Sequence, residues 1–136
     1  MADYVDKTMN FDDLVEYTAA VKSGAVQRRM RRRDPAHTGY TPLSHDELVA
    51  KFFPDGAAVR LAENNYPYDV SHDVDHMVCW FNPNCFDAIP ANIDDVLTLV
   101  VGGGRRRDNY TWFENPSEWK SVPSIPHVHV FIQRRR

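Results

Sequence analysis

Little in this sequence points to a membrane or to an oxidising compartment. Its 136 residues include only two cysteines, Cys79 and Cys85. A chain of this length buries a core without covalent staples, so no disulfide framework is implied. No apolar run approaches the ~20 residues that cross a bilayer, and no membrane partner is expected. The opening MADYVDKTMNFDD lacks the basic and apolar regions of a secretory signal and is too acidic for a mitochondrial presequence. A cytoplasmic or nuclear location is therefore expected. Internal repeats are lacking too.

What is present is ordinary for a soluble globular chain, with 43% hydrophobic and 26% charged residues, and one domain over residues 1–136 is expected. The formal net charge of -3 conceals an uneven layout, since eleven of the sixteen basic residues lie in three clusters. These are Arg28, Arg29, Arg31, Arg32 and Arg33, then Arg105, Arg106 and Arg107, and finally Arg134, Arg135 and Arg136. Guanidinium clusters pair with phosphates and carboxylates, which makes an acidic protein or a nucleic acid a candidate partner. The plainer reading is solvated helix ends and a tail, because a pI near 6.0 lacks the basic footprint of a dedicated nucleic-acid binder.

NFDDLVEYTAAVKSG predicts a helix capped by Asn10, with Phe11, Leu14, Val15 and Thr18 on one stripe and Gly24 beyond its end. AVQRRMRRRDP suggests a short basic helix that stops before Pro35, and a loop follows. SHDELVAKFFPDG carries Ser44 and Glu47 at capping-box spacing and predicts a second amphipathic helix ended by Pro54. HMVCWF, NYTWF and HVHVFI read as strands. NIDDVLTLVVGGG reads as a helix capped by Asn92 and closed by Gly102, Gly103 and Gly104. That glycine run closes a helix instead of opening one, so it is read as a turn and not as a phosphate cradle. The expected class is α+β, a single domain with a small antiparallel sheet weighted to the C-terminal half and about three helices packed on one face.

Side chains alternate across a strand, so the two faces of each can be compared. Met77, Cys79, Phe81, Val128, Val130 and Ile132 form wholly apolar faces suited to packing under the helices. His76, Val78 and Trp80, and likewise His127, His129 and Phe131, fall on the opposite side, away from the main core. If the two strands are neighbours, three imidazoles converge beside Trp80 and Phe131. Such a face suits a histidine nucleophile or base, an aromatic-lined ligand pocket, or a metal held by the imidazoles, with Asp73 or Asp75 as further ligands. Those aspartates are more simply caps or solvated charges, so whether a metal binds, like any cofactor, stays unassigned. The candidate catalytic residues are His127, His129 and His76. Trp80, Phe131, Tyr68, Lys120 and Ser121 are candidates for ligand binding, with Tyr66 and Trp112 nearby. The plainer alternative is that the histidines cover a sheet face, Trp112 and Trp119 are core or rim aromatics, Lys120 is a surface charge and Ser121 a loop hydroxyl. Cys79 sits on the apolar face, where burial makes a thiol inert.

The blocks NNYPYDVSHDVDHMVCWF and WFENPSEWKSVPSIPHVHVF, behind a helix-led N-terminal half, resemble a family of small fungal proteins known as N-acetylglucosamine-induced proteins, built on a domain of unknown function. The likeness lies in the order of a PY turn, an aspartate-rich approach to a histidine-bearing strand, an aromatic segment, a KSV step and a closing HxHV. The arginine-rich segment and the GGGRRR turn depart from it. More narrowly, HVHVF is similar to part of the histidine-triad pattern of nucleotide hydrolases and transferases. That likeness implies that His127 or His129 attacks a phosphate while the other orients it; Phe131 and Ile125 stand where a third alternate histidine would be. The expectation is thus a ligand-binding or catalytic histidine and aromatic pocket that takes a phosphorylated sugar or nucleotide. The contrasting expectation is a non-catalytic assembly subunit that grips an acidic partner through its arginines.

Overall fold

Asn10 and Ser44 each start a helix in the way their spacing predicts. In the computed structural model, whose described residues are 7–26, 29–34, 43–102, 109–116, 119–120 and 122–134, α1 spans Phe11–Lys22 and α2 spans His45–Phe52. Both begin with a full capping box, Asn10 with Asp13 and Ser44 with Glu47, which satisfies two otherwise orphaned backbone donors. The buried stripe of α1 is Leu14, Tyr17 and Thr18, whereas Val15, expected on it, is 46% exposed. The remaining elements are β1 (Val59–Glu63), β2 (Val74–Phe81), α3 (Ile93–Gly102), β3 (Asn109–Phe113) and β4 (His127–Gln133). α3 starts after Asn92, whose backbone carbonyl accepts from Asp95 and Val96.

The four strands form one antiparallel sheet in the order β1-β2-β4-β3, and the class is α+β. β2 and β4, the two histidine-bearing strands, are central neighbours. Their register sets His76 opposite Phe131, Val78 opposite His129 and Trp80 opposite His127, so all six side chains share one face. β1 has no counterpart in the sequence reading. The basic helix after α1 is not formed by its described part either: residues 29–33 run without helix, Met30 is buried, and Arg32 makes an isolated antiparallel bridge to Tyr68.

The helices do not share one face, which corrects the expected layering. α3 lies under the apolar face, with Ile93 and Leu97 packed on Cys79, Phe81, Val128 and Val130. α1 and α2 cover the histidine face, Leu14 and Tyr17 joining Tyr68, Phe113 and Phe131, and Leu48 and Phe52 joining Val78, Trp80, Val122 and Ile125. Phe52 stacks on Trp80 with ring centroids 4.2 Å apart. The sheet is thus covered on both sides and the histidines lie inside the protein. Imidazole can occupy a core position when its nitrogens are hydrogen-bonded, as those of His76 and His129 and Nδ1 of His127 are.

Candidate functional site

β2 and β4 hold the three imidazoles, and the loops before β2 and β4 supply their partners. His76, His127 and His129 are 6%, 5% and 8% exposed. The backbone N–H of Tyr68 donates to His76 Nδ1 at 3.0 Å, and His76 Nε2 lies 2.8 Å from His129 Nδ1. On the other side of that ring, His129 Nε2 lies 3.0 Å from the side-chain nitrogen of Asn115, which is also 3.0 Å from the Tyr68 hydroxyl. The Tyr68 ring stacks on both imidazoles at 4.9 and 5.4 Å, and Phe131 stacks on His76 at 4.5 Å. His127 stands apart from this chain of bonds. Its Nδ1 donates to the Ile125 carbonyl at 2.8 Å, and its ring lies 4.7 Å from that of Trp80.

Loss of hydration keeps all three rings neutral. It pushes His76 down to about 3, with Arg32 and Arg33 adding to the effect. It holds His129 well below the usual histidine range, reinforced by His76, His127, Arg32 and Arg29. Burial also lowers His127, where Lys120 adds and the Ile125 carbonyl and Glu114 oppose. Tyr68 is raised by burial and stays a phenol. Cys79 is pushed up to about 12 by burial, in line with an inert thiol.

A cleft opens over the His127 end of this layer. Water centres find about 30 Å³ of room in it, and with its open mouth it encloses about 420 Å³; one water needs ~10–15 Å³ by the first measure. His127 and His129 line it together with Trp80, Tyr68 and Lys120, as do Arg29, Arg32, Asn64, Tyr66, Asn115 and Trp119. Three cations thus reach one cleft. Arg29 donates to the Trp119 carbonyl at 3.0 Å, Arg32 to the Tyr66 carbonyl at 3.0 Å, and Lys120 pairs with Glu114 at 2.6 Å.

Several of the residues singled out in the sequence are placed elsewhere. Phe131 lies in the core shared with α1 and His76 stacks on it, and neither lines the cleft. Trp112 is on the opposite face, where its Nε1 donates to Asp94 and Lys22 sits over its ring. Ser121, Arg28, Arg105, Arg106, Arg107, Arg135 and Arg136 lie outside the described residues. Among the described residues no three His, Cys, Asp or Glu side chains are arranged to hold a metal ion, and the His76 and His129 nitrogens that meet bond to each other. Asn64, Asn115, Arg29 and Arg32 escaped the sequence reading as cleft residues. The asparagines sit in proline-punctuated turns that signal only a loop, and the arginines were grouped by charge instead of by position.

The sequence matches, over residues 4–133, the family described as "Protein of unknown function (DUF3605)". That description agrees with a domain of unknown function and carries no N-acetylglucosamine designation. No curated protein matches the chain. A solved structure described as "Crystal Structure of HTC1" is similar with a TM-score of 0.56 and 18% identity, covering 94% of this chain and 86% of that one, a likeness in fold alone. Among the described residues no helix is long and apolar enough to cross a membrane.

Proposed function

The chain belongs to the DUF3605 family, and from the cleft we propose that it binds a small phosphorylated molecule, a sugar phosphate or a nucleotide, with His127 facing the ligand. The observation that carries this reading is the convergence of Arg29, Arg32 and Lys120 on the one cleft that also exposes His127. Guanidinium and ammonium groups in a partly dry cleft bind a phosphoryl group through charge-assisted hydrogen bonds. Trp119 and Tyr66 offer walls for a ring. With Nδ1 protonated and held by Ile125, the Nε2 lone pair of His127 is the group that can act as a base or nucleophile. The roles that the histidine-triad likeness spreads over two histidines therefore fall to His127, because both nitrogens of His129 are engaged. The likeness to N-acetylglucosamine-induced proteins makes N-acetylglucosamine 6-phosphate a natural probe.

Titration with inorganic phosphate, N-acetylglucosamine 6-phosphate and AMP, followed by amide chemical-shift mapping, tests this. Shifts are expected to concentrate at Trp119, Lys120 and His127 and to weaken as salt is added. Lys120→Ala is expected to lower affinity about tenfold, the loss of one charge-assisted bond. Shifts that scatter over the surface at millimolar ligand would sink the reading. The contrasting assembly-subunit reading has less support, because the described arginines of the clusters that do not line the cleft make no common patch and bond separately within the chain. Arg31 pairs with Asp69, Arg33 donates to the Val70 carbonyl, and Arg134 pairs with Asp75.

A further inference from the structure

The backbone sets the direction of the hydrogen bonds around the buried histidines against one longer contact, the Asn64 side-chain nitrogen 3.3 Å from His76 Nε2, which gives way to the 2.8 Å bond between the two rings. A backbone N–H only donates, so Nδ1 of His76 accepts from Tyr68, and the neutral ring carries its proton on Nε2. That proton points to Nδ1 of His129, 2.8 Å away, so His129 in turn carries its own proton on Nε2. The next group, Asn115, must therefore accept. A half-turn of its amide exchanges nitrogen and oxygen and places the oxygen where it takes both the His129 N–H and the Tyr68 hydroxyl proton, at 3.0 Å each. Among the described residues Asn115 Oδ1 and Thr18 Oγ1 are buried without a hydrogen-bond partner; after the half-turn the Asn115 NH2 takes the place of its Oδ1. Asn115 is only 5% exposed and lines the cleft. His127 has the opposite polarity, since the Ile125 carbonyl only accepts, which fixes the proton on Nδ1 and leaves Nε2 as an acceptor.

We propose that Asn115 Nδ2 and His127 Nε2 form a donor–acceptor pair that reads a hydroxyl of the ligand, and that the His76–His129 pair fixes the Asn115 amide in the orientation this needs. A hydroxyl donates to one and accepts from the other, whereas an alkyl group leaves both unpaired at a desolvation cost. His76 and His129 are then positioning residues. The inference rests on the phosphate-binding reading for the ligand's charge and adds its class, a phosphate monoester that carries a hydroxyl, whether on a sugar or on the ribose of a nucleotide.

Two measurements on the unaltered protein test it. Long-range nitrogen–proton correlation spectra are expected to show the ring proton on Nε2 in His76 and His129 and on Nδ1 in His127. A proton on Nδ1 of His129 overturns the proposal whatever the protein binds. Calorimetric titration compares glucose 6-phosphate and AMP with cyclohexyl phosphate, a monoester without hydroxyls. At least one hydroxylated ester is expected to bind about tenfold tighter than cyclohexyl phosphate, the size that two net hydrogen bonds give, and the tighter of the two identifies the source. Equal binding of all three overturns the hydroxyl reading and leaves phosphate binding standing; binding of none overturns both. Asn115→Ala is expected to remove the preference while His129 keeps its proton on Nε2, because His76 still donates to its Nδ1; a preference that survives, or a His129 that shifts its proton to Nδ1, overturns the positioning role.

Discussion

His129 has no nitrogen left to offer a ligand, because Nδ1 faces His76 and Nε2 faces Asn115. Replacing it empties a core position and orphans two buried partners. His129→Ala is therefore expected to cost ~3 kcal/mol in chemical denaturation, and so it is a poor probe of chemistry. His127→Ala leaves that chain of bonds intact, and it is expected to lower ligand affinity by up to about tenfold at a cost of ~1 kcal/mol in stability. Equal losses of stability in the two variants would contradict this division of roles. The same rings make the fold acid-sensitive. The unfolded chain protonates histidine at its ordinary value of 6.5, whereas the fold holds His76 down to about 3 and lowers His127 and His129 as well. Below 6.5 the unfolded state thus binds more protons. Stability is full above that pH and falls as pH drops toward the folded values, by up to ~1.4 kcal/mol per pH unit for each ring. Urea midpoints between pH 7.5 and 5.5, above the carboxylate range, check this, and a flat profile would refute it.

At the scale of elements, what could be read from the chain was what neighbours in sequence decide. A capping box joins residues three apart, so the starts of α1 and α2 were visible as Asn10 with Asp13 and Ser44 with Glu47. Asn10→Ala and Ser44→Ala are each expected to lower stability by about 1 kcal/mol, measured as a shift of the denaturation midpoint at constant slope. β1 escaped because VRLAE has little strand propensity of its own. It forms by pairing with β2, Leu61 opposite Cys79 and Arg60 opposite Trp80. The stretch 29–33 has good helix formers, yet Met30 is drawn into the core and Arg33 N–H donates to the Pro67 carbonyl. Tertiary contacts outweigh a propensity of a few tenths of a kcal/mol per residue.

At the scale of the whole molecule, the sheet is a wall between two cores. β2 and β4 are paired on both sides, whereas β1 and β3 are edges. Amide exchange is accordingly expected to be slowest in β2 and β4 and faster in β1 and β3, and the reverse order would overturn the topology. Leu97→Ala, beneath the apolar face, is expected to cost ~3 kcal/mol while leaving ligand affinity in the cleft unchanged, a separation that calorimetry checks. Alternation along the chain determined which side chains of β2 and β4 share a face, because the pleat fixes that with a period of two whatever surrounds it. It also determined that His76, His127 and His129 fall together once the strands pair. The tertiary structure alone decided that this face lies inside. Its cover comes from α1, α2 and the segments before β2 and β4, which arrive from distant parts of the chain. Hydrogen bonds with Tyr68, Asn115 and Ile125 make burial of imidazole tolerable there, and no local pattern encodes partners that meet only on folding.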